Sequence, residues 1–339
     1  MTFANVILQW FKKNGRDLPW RGTRDPYRIW LSEVILQQTR IVQGRDYWLR
    51  FVERWPTAHD LALASEDEVL RMWQGLGYYS RARNLHHAAQ QIDQMGHFPD
   101  TLEGIRSLKG VGDYTAAAIA SMAFDIDVAV VDGNVYRVLA RHYGIDTPIN
   151  TTQGKRLFTE LAQSLLPQGM AAAFNQGMMD FGAMMCTPRS PQCSECPLAE
   201  TCDALHTRRV DDLPVKLKTT QVKERAMQYV YIRCKGQTAI HRRPSGDIWQ
   251  GLYEPLMIEN RPLPSFDGQL TLLRQGVKHV LTHRILLADF WLLETEVKPD
   301  LPSDYFWISE TDLDRYAVPR LVEHLLDCLA KYTEKTKYK

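Results

Sequence analysis

The segment from Leu108 to Asn134 constrains the fold more than any other part of the chain, because it joins a glycine turn, a helical pattern and a polar turn. In its first five residues, Leu-Lys-Gly-Val-Gly, two glycines flank one apolar residue. Such a turn can adopt positive φ and lets its N–H groups approach a ligand closely. Asp113 is expected to cap the helix that follows. A turn that opens onto a helix N-terminus favours an anion such as phosphate, so we predict a helix–hairpin–helix with a phosphate-contacting hairpin.

The second half of this segment ends in an acid. Helical patterns over 101–107 and 114–124 flank the turn, and the apolar run 128–131 leads into Asp132-Gly133-Asn134. Taken alone, Asp132 is interpreted as the N-cap of a helix from Val135 onward. Its setting after an apolar run leaves a functional interpretation open.

A helical pattern that is apolar nearly all round begins after Asp25 and contains one acid, Glu33. Asp25 is predicted as the N-cap, and Pro26 fits the first helical position. Burial raises the pKa of a carboxyl group, which a general acid working near neutral pH requires. The alternative for Glu33 is a buried acid satisfied by backbone donors or by an arginine such as Arg28.

A Ser-x-x-Glu capping box at Ser65 predicts the start of a helix that ends at the glycine turn over 75–79, Gly-Leu-Gly-Tyr-Tyr. Tyr78 is expected near the tip of this turn, and Arg81 and Arg83 follow it on a second helical pattern. An aromatic residue with arginines behind it for phosphates would suit a wedge that enters a base stack. The alternative is a pair of tyrosines packed against a neighbouring helix, with ordinary solvated arginines.

Four of the six cysteines form the pattern C-x6-C-x2-C-x5-C: Cys186, Cys193, Cys196 and Cys202. Four thiolates in one compact loop can hold a tetrahedral zinc ion or a cubane iron–sulfur cluster, and the spacing alone leaves both open. We expect a structural role, because the loop closes the helical region and no electron-transfer partner is evident.

The length of 339 residues suggests about two domains. Residues 1–205 have helical patterns, 206–225 read as a polar linker, and 226–339 contain five β-like segments and a final helix, which is an α+β texture. The net charge of +1 gives no global positive field, so any nucleic-acid contact must be local. No apolar run approaches the roughly 20 residues that a membrane span needs, and a soluble cytosolic protein is expected.

The order of these motifs resembles that of the helix–hairpin–helix DNA glycosylases that carry an iron–sulfur cluster, and within them the MutY-type adenine glycosylases. The resemblance spans nearly the whole chain. It implies an α catalytic region with a six-helix barrel and a cluster domain, followed by a C-terminal α+β Nudix-like domain. Its carriers are LPWR at 18–21, SEVILQQT around Glu33, GLGYYSRARN around Tyr78, LKGVG, VDGNV around Asp132, FNQGMMDFGAMMC and the four cysteines.

The resemblance implies a base-excision-repair enzyme that hydrolyses the N-glycosidic bond of adenine mispaired with 8-oxoguanine, and also with guanine, in double-stranded DNA. One [4Fe-4S] cluster on the four cysteines, a monomeric state and a cytoplasmic, nucleoid-associated location in a bacterium are expected with it. In the related endonuclease III family, a lysine stands two residues after the last hairpin glycine and cleaves the strand through a Schiff base. In this chain that residue is Tyr114, so we predict a monofunctional enzyme that leaves an abasic site.

Four residues match catalytic positions of the family. Glu33 would protonate adenine N7, and Asp132 would stabilise positive charge on the sugar as an ionised carboxylate. Tyr114 matches a tyrosine that supports the aspartate side of the site, and Asn134 matches an asparagine near the attacking water. The unlike surroundings of the two acids would separate their pKa values.

The resemblance also implies three sets of binding residues. The adenine pocket would be lined by Trp20, Arg21 and Gln176. The surface that opens the mispair would consist of Gln37, Gln38, Thr39 and Tyr78, and the DNA backbone would be held by Gly110, Val111 and Gly112. In the C-terminal region, Leu281-Thr282-His283 stands where many members have Phe-Ser-His, so Thr282 and His283 are expected to inspect 8-oxoguanine without an aromatic wedge. The Nudix pyrophosphatase signature is absent from 225–339, and no hydrolysis of nucleoside triphosphates is expected.

Two other functions fit parts of the pattern. A pyrimidine-damage glycosylase with lyase activity, of the endonuclease III type, would share the hairpin, the aspartate and the cluster, but Tyr114 argues against it. A DNA-damage sensor without catalysis would leave Glu33 and Asp132 unused.

Overall fold

The computed structural model describes residues 1–218 and 222–337, which form two compact units. The helical unit comprises 1–63 and 87–218, and the sheet unit comprises 64–86 and the described residues from 222 onward. The predicted boundaries at 205 and 226 remain a prediction, and the structure departs from them in placing 64–86 with the C-terminal region. Residues 219–221 of the predicted linker lie outside the described residues, whereas 223–225 already belong to a strand.

Helices dominate the first 218 residues, which contain no β-strand, as expected before Cys202. None of the helices in the described residues is long and apolar enough to cross a membrane. The helices of the two units are, in chain order, α1 (Phe3–Asn14), α2 (Pro26–Leu36), α3 (Ile41–Arg54), α4 (Ala58–Leu63), α5 (Glu66–Trp73), α6 (Ser80–Met95), α7 (Leu102–Ser107), α8 (Asp113–Phe124), α9 (Gly133–Tyr143), α10 (Thr152–Leu165), α11 (Ala171–Met184), α12 (Asp203–His206) and α13 (Arg320–Lys337).

Local sequence signals account for several helix ends. Asp25 accepts a hydrogen bond from Tyr27 N at 2.9 Å and Pro26 opens α2, as predicted. The prediction that Asp113 caps α8 was wrong: Gly112 is the N-cap, and Asp113 is the first helical residue. Its carboxylate therefore points outward and pairs with Arg106 at 3.0 Å.

The helix–hairpin–helix consists of α7, a turn over 108–112 and α8. Leu108 and Val111 are buried and anchor the turn, while Gly110 and Gly112 are exposed. Gly110 has a φ of 78°, which favours glycine, whereas Gly112 has a φ of −94° that any residue adopts. The hairpin thus presents its backbone at the surface of the helical unit.

The sheet unit holds the C-terminal part of the chain and contains two sheets. The strand order is β4-β1-β6-β5 in one sheet and β3-β2-β7 in the other, and only the β1–β6 pair is parallel among the described pairings. Leu321 and Leu325 of α13 belong to one buried cluster with Tyr229 and Phe290 of the first sheet. The strands are β1 (Lys223–Arg233), β2 (Gln237–Arg242), β3 (Tyr253–Glu254), β4 (Leu256–Glu259), β5 (Gln269–Val280), β6 (Arg284–Glu294) and β7 (Tyr305–Ser309).

Residues 64–86 belong to the sheet unit because their side chains bond to its strands. The predicted capping box forms, with Ser65 Oγ accepting from Glu68 N at 3.2 Å. Asp67 of α5 accepts a hydrogen bond from the Tyr253 hydroxyl at 3.0 Å. Arg242 donates to Glu66 at 2.8 Å in the same region. These contacts tie α5 to β2 and β3.

Candidate active site

One cavity of the helical unit gathers most of the residues predicted to act on the base. Its volume is about 720 Å³, and its walls come from α2, α8, α9, α11 and the segments that precede α2, α3 and α9. Gly110, Val111 and Gly112 lie elsewhere in this unit, in the hairpin. The predicted residues that line the cavity are Trp20, Arg21, Glu33, Gln37, Gln38, Thr39, Tyr114, Asp132, Asn134 and Gln176.

Glu33 is a buried carboxyl group on the cavity wall, with 8% of its surface exposed. Its Oε2 accepts a hydrogen bond from the Tyr114 hydroxyl at 2.7 Å. Burial raises the pKa of Glu33 to about 7, and the negative charge of Asp132 adds to this, while the Tyr114 hydrogen bond and Arg21 act in the opposite direction. Glu33 therefore carries a proton for much of the time at neutral pH.

Asp132 combines the predicted N-cap with a position on the cavity wall. It is the N-cap of α9, and its Oδ1 accepts from Asn134 N at 2.9 Å and from Val135 N at 2.8 Å. Its Oδ2 accepts from the Asn134 amide at 2.7 Å and the side chain lines the cavity. Burial raises the pKa of Asp132, and these hydrogen bonds oppose the rise. The cap therefore aims the carboxylate and supports its ionised form.

The Tyr114 hydroxyl forms its hydrogen bond with Glu33. The family resemblance implies a role on the aspartate side, whereas the hydroxyl donates to Glu33 Oε2 at 2.7 Å and to Met179 Sδ at 3.6 Å. The three hydrogen bonds to Asp132 instead come from residues that follow it in the chain. Burial, followed by the charge of Glu33, raises the pKa of Tyr114 well above its usual value, so the hydroxyl remains a donor.

Asn175 of α11 holds the segment that leads to Asp132, and sequence analysis missed it. It is 1% exposed, and its Oδ1 accepts from Val130 N at 3.0 Å. Its amide donates to Val128 O at 2.9 Å and to Ser121 Oγ at 3.0 Å. The available signal was a polar amide in the apolar helical stretch FNQGMMDFG, because buried amides require partners.

Asn134 is fixed by contacts from two helices. Arg137 Nη2 of α9 donates to Asn134 Oδ1 at 2.9 Å and to Gly182 O of α11 at 2.7 Å. A Cβ atom at Gly182 would lie 2.6 Å from Asn134 Cβ, so only glycine allows this approach. Arg137 Nε also donates to Cys186 O at 2.7 Å, which connects this part of the site to the cysteine loop.

A second missed residue, Asp180 of α11, is fully buried beside the cavity. Its carboxylate accepts hydrogen bonds from both Arg16 and Arg21, and both arginines line the cavity. Arg21 was predicted as an adenine-pocket residue, whereas Arg16 was not singled out. An aspartate inside an apolar helical stretch was again the available signal.

The four cysteines of the loop line a small cavity of their own with Arg141. None of the four forms a disulfide, and Arg141 Nη1 donates a hydrogen bond to Cys186 Sγ at 3.4 Å. The described residues contain no group of three or more His, Cys, Asp or Glu side chains placed to hold a single metal ion. The donor set of four cysteines around one cavity fits an iron–sulfur cluster.

The remaining predicted residues line a cavity of about 640 Å³ in the sheet unit. Tyr78 is half exposed with a φ of 48°, and its hydroxyl lies 2.7 Å from Thr282 Oγ1. Thr282 and His283 form the exposed turn between β5 and β6. The interpretation of Arg81 and Arg83 as phosphate ligands finds no support, because they donate to Gly77 O at 3.2 Å and to Gln250 O at 2.6 Å.

Three family models match the chain in the order in which these features occur. The HhH-GPD superfamily base excision DNA repair protein matches residues 31–164, the iron–sulfur binding domain of endonuclease III matches 186–202, and the NUDIX domain matches 228–328. The fold and the site thus define a helix–hairpin–helix enzyme of base-excision DNA repair that binds DNA.

Relatives identify the family within this class. The adenine DNA glycosylase of Buchnera aphidicola (subspecies Schizaphis graminum) is 34% identical over 255 residues, which is 74% of this chain and 74% of the relative. That of Mus musculus is 44% identical over 214 residues, 60% of this chain and 42% of the relative. The chain belongs to the adenine DNA glycosylase family, and it is a glycosylase that removes adenine in base-excision repair.

Solved structures agree on the fold of the helical part. A thermostable thymine-DNA glycosylase is 33% identical with a TM-score of 0.57, over 60% of this chain and 95% of that one. A trapped covalent endonuclease III–DNA intermediate is 23% identical with a TM-score of 0.53, over 60% of this chain and 94% of that one, and it shares the fold. The match at 186–202 also decides between zinc and iron–sulfur: the cofactor is one [4Fe-4S] cluster held by the four cysteines.

Proposed function

We propose that this glycosylase removes adenine opposite 8-oxoguanine, and also opposite guanine, from double-stranded DNA as a monomer, leaving an abasic site. The observation that carries the proposal is a single cavity lined both by Glu33, whose pKa burial raises to about 7, and by an Asp132 that accepts three hydrogen bonds. Two acids in unlike environments are what a proton donor and a charge stabiliser need. A location in the cytoplasm, at a bacterial nucleoid, remains a prediction with it.

In the proposed mechanism, Glu33 donates its proton to N7 of an adenine that has left the base stack. Protonation makes the base a better leaving group, and a pKa of about 7 lets the acid reload at neutral pH. As the glycosidic bond breaks, positive charge develops on the sugar, and ionised Asp132 stabilises it. Asn134, bonded to Asp132, is placed to orient the water that attacks C1′.

The other residues of the cavity have binding roles in this proposal. Trp20, Arg21 and Gln176 form the seat for adenine, and the segment Gln37-Gln38-Thr39 at the end of α2 holds the mispair open. The hairpin Gly110-Val111-Gly112, whose two glycines are exposed, contacts a phosphate through main-chain amides, and a Cβ at Gly112 would meet nothing within 4 Å. The cluster supplies structural support for the loop that carries its ligands.

The experiment that tests the proposal is adenine release from an A:8-oxoguanine duplex by the wild type and by Glu33→Gln. Loss of a general acid lowers rates by about 10²- to 10⁴-fold, and binding of the duplex should change little. Near-normal release by Glu33→Gln would remove Glu33 from the mechanism. Duplex binding without release by the wild type would favour the sensor.

A second experiment separates hydrolysis from lyase chemistry. Tyr114 has no amine to form a Schiff base, and Lys109 precedes the hairpin glycines on the exposed side of the turn. Strand breaks should therefore appear on A:8-oxoguanine duplexes only after alkali treatment. Breaks without alkali on a thymine-glycol duplex would instead support the pyrimidine-damage enzyme of the endonuclease III type.

Recognition of 8-oxoguanine is proposed for the sheet unit. Thr282 and His283 are exposed on a turn, and Tyr78 reaches the same cavity through its bond to Thr282. Replacing Leu281, Thr282 and His283 together should reduce release from A:8-oxoguanine more than from A:G. Equal losses on the two duplexes would mean that these residues do not read the lesion.

A further inference from the structure

Asp180 links two arginines from a distant part of the chain to the wall of the base cavity. Arg16 donates to it through its backbone N at 3.0 Å and through Nε at 2.9 Å, with a further bond from Nη2. Arg21 donates through Nη1 at 2.6 Å and Nη2 at 2.7 Å. Arg21 Nη1 also donates to Arg16 O at 2.9 Å, which closes the loop that contains Trp20.

The charges of this cluster do not cancel. Two guanidinium groups face one carboxylate, so the cluster carries a net charge of +1 beside the cavity that Glu33 lines. The groups facing Glu33 are Tyr114 of α8, Asp132 before α9 and Arg21 of the loop before α2. Arg21 lowers the pKa of Glu33, and Asp180 is the carboxylate that offsets the charge of Arg21.

A purely structural role would not require charges at this place. Buried ion pairs add little to stability compared with apolar residues of similar volume, because desolvation offsets their attraction. Asp180 is fully buried, whereas the side chains of Arg16 and Arg21, which both line the cavity, retain 29% and 14% exposure. The arrangement therefore holds the guanidinium groups of Arg16 and Arg21 at the cavity wall, and the carboxylate of Asp180 offsets part of their positive charge.

We propose that Asp180 is a positioning residue for adenine excision, which holds Arg16 and Arg21 at the cavity wall and balances their charge so that Glu33 keeps its proton. The proposal rests on the proposed role of Glu33 as proton donor. Without Asp180, both arginines would be unbalanced and would drive Glu33 toward its ionised form. With Asp180 but without Arg16, the remaining pair would be neutral and Glu33 would hold its proton to a higher pH.

The test is the pH profile of single-turnover adenine release at saturating enzyme, on an A:8-oxoguanine duplex. The alkaline limb reports the loss of the Glu33 proton. In Asp180→Asn we expect this limb to move by about one pH unit toward acid, so that the deficit is small at low pH and grows above neutrality. In Arg16→Gln we expect a shift in the opposite direction, whatever the change in maximal rate.

Asp125→Asn is the matched control. Asp125 also pairs with an arginine, Arg24, but both side chains are at least half exposed, and Asp125 does not line the cavity. Its left-handed φ of 52° suits asparagine, so the same chemical change should leave the profile unshifted. Circular dichroism establishes that each variant is folded; because Arg16 is partly exposed, Arg16→Gln keeps the test informative if Asp180→Asn does not fold.

Opposite shifts in the two variants support the proposal. A uniform loss of rate in Asp180→Asn with an unmoved limb would mean that Asp180 only supports the fold, and an unmoved limb in Arg16→Gln would equally overturn the charge balance. Failure of the proposed function gives a different result, since Glu33→Gln would then retain both the rate and the alkaline limb of the wild type.

Discussion

At the scale of single residues, the site depends on a carboxyl group in an unfavourable place. Glu33 is buried on an apolar helix, and burial raises its pKa from 4.5 to about 7. Because the folded-state pKa lies above the unfolded value, Glu33 stabilises the fold fully below pH 4.5 and loses that contribution as the pH rises toward 7. The group that fits catalysis at neutral pH therefore makes the protein less stable there.

Replacing Glu33 by glutamine should remove this penalty. At pH 8 the free energy of unfolding should rise by up to roughly 3 kcal/mol, whereas at about pH 3 it should change little, because Glu33 is then neutral in both the folded and the unfolded state. Denaturant unfolding at the two pH values measures the difference. Glu160→Gln, at an exposed position on α10, serves as control and should show no such dependence on pH. A gain in the free energy of unfolding that is equal at both pH values would contradict the raised pKa assigned to Glu33.

Tyr114→Phe tests the hydrogen bond to Glu33. That bond lowers the pKa of Glu33, so its removal should move the alkaline limb of adenine release upward by about one pH unit or less. The measurement is the single-turnover pH profile. A downward shift would mean that the hydroxyl stabilises the protonated rather than the ionised carboxyl group.

At the scale of elements, the site is assembled where α9 and α11 approach each other. Gly182 of α11 lies against Asn134, and the amide of Asn175 on the same helix holds the segment before Asp132. One helix thus positions both sides of the Asp-Gly-Asn turn. Small residues are needed at this crossing because the backbones are close.

Gly182→Ala should displace Asn134. The added Cβ would lie 2.6 Å from Asn134 Cβ and 3.0 Å from its main chain, which cannot move easily. We expect a loss of about 1–3 kcal/mol in stability and at least about tenfold in adenine release. Melting curves and single-turnover rates measure the two effects. Gly22→Ala, where a Cβ meets nothing within 4 Å and φ is not positive, is the control and should leave melting unchanged.

The cysteine loop is the other element that can be tested directly. Cys196→Ser should abolish the broad visible absorption of the cluster and lower thermal stability, because one of four ligands is lost. Cys328 lies on α13, outside the loop, so the Cys328→Ser variant should keep the brown colour of the cluster. Stoichiometric zinc in a colourless wild-type protein would contradict the cofactor assignment.

At the scale of the whole molecule, the division into units differs from the order of the sequence. Residues 64–86 come from the middle of the helical half, yet they pack with the C-terminal strands and α13. Glu66 and Asp67 bond to Arg242 and Tyr253, and Gln74 bonds to Glu323 at 2.5 Å. The C-terminal region is therefore part of what holds the Tyr78 turn in place.

A chain that ends at Lys218 should show this dependence. It would leave Asp67, Gln74 and Arg83 without their partners in the C-terminal region, so we expect faster proteolysis within 64–86 than in the full chain. Limited proteolysis followed by mass mapping measures it. Cleavage that is unchanged within 64–86 would mean that this segment is stable on its own.

Sequence patterns predicted the positions of the helices and strands more reliably than which of them contact each other. The short-range signals held at α2 and α5, where a cap and its first turn lie within three residues. Strand β5 is hard to recognise in the sequence, because its edge position leaves most of its residues exposed or half-exposed and weakens the apolar pattern. At Asp113, the expected cap failed because Gly112 takes the extended conformation one residue earlier.

The sequence by itself determined the helix–hairpin–helix, the four-cysteine loop and the presence of one acid on an apolar helix and another after an apolar run, because each depends on residues close together in the chain. Only the tertiary structure decided that Tyr114 bonds to Glu33 across 81 positions, and that Asp180 pairs with Arg16 and Arg21 across 164 and 159 positions. It also decided that 64–86 belong to the sheet unit. Such pairings follow from how whole helices and strands pack, and local spacing carries no information about which distant group a buried polar side chain will meet.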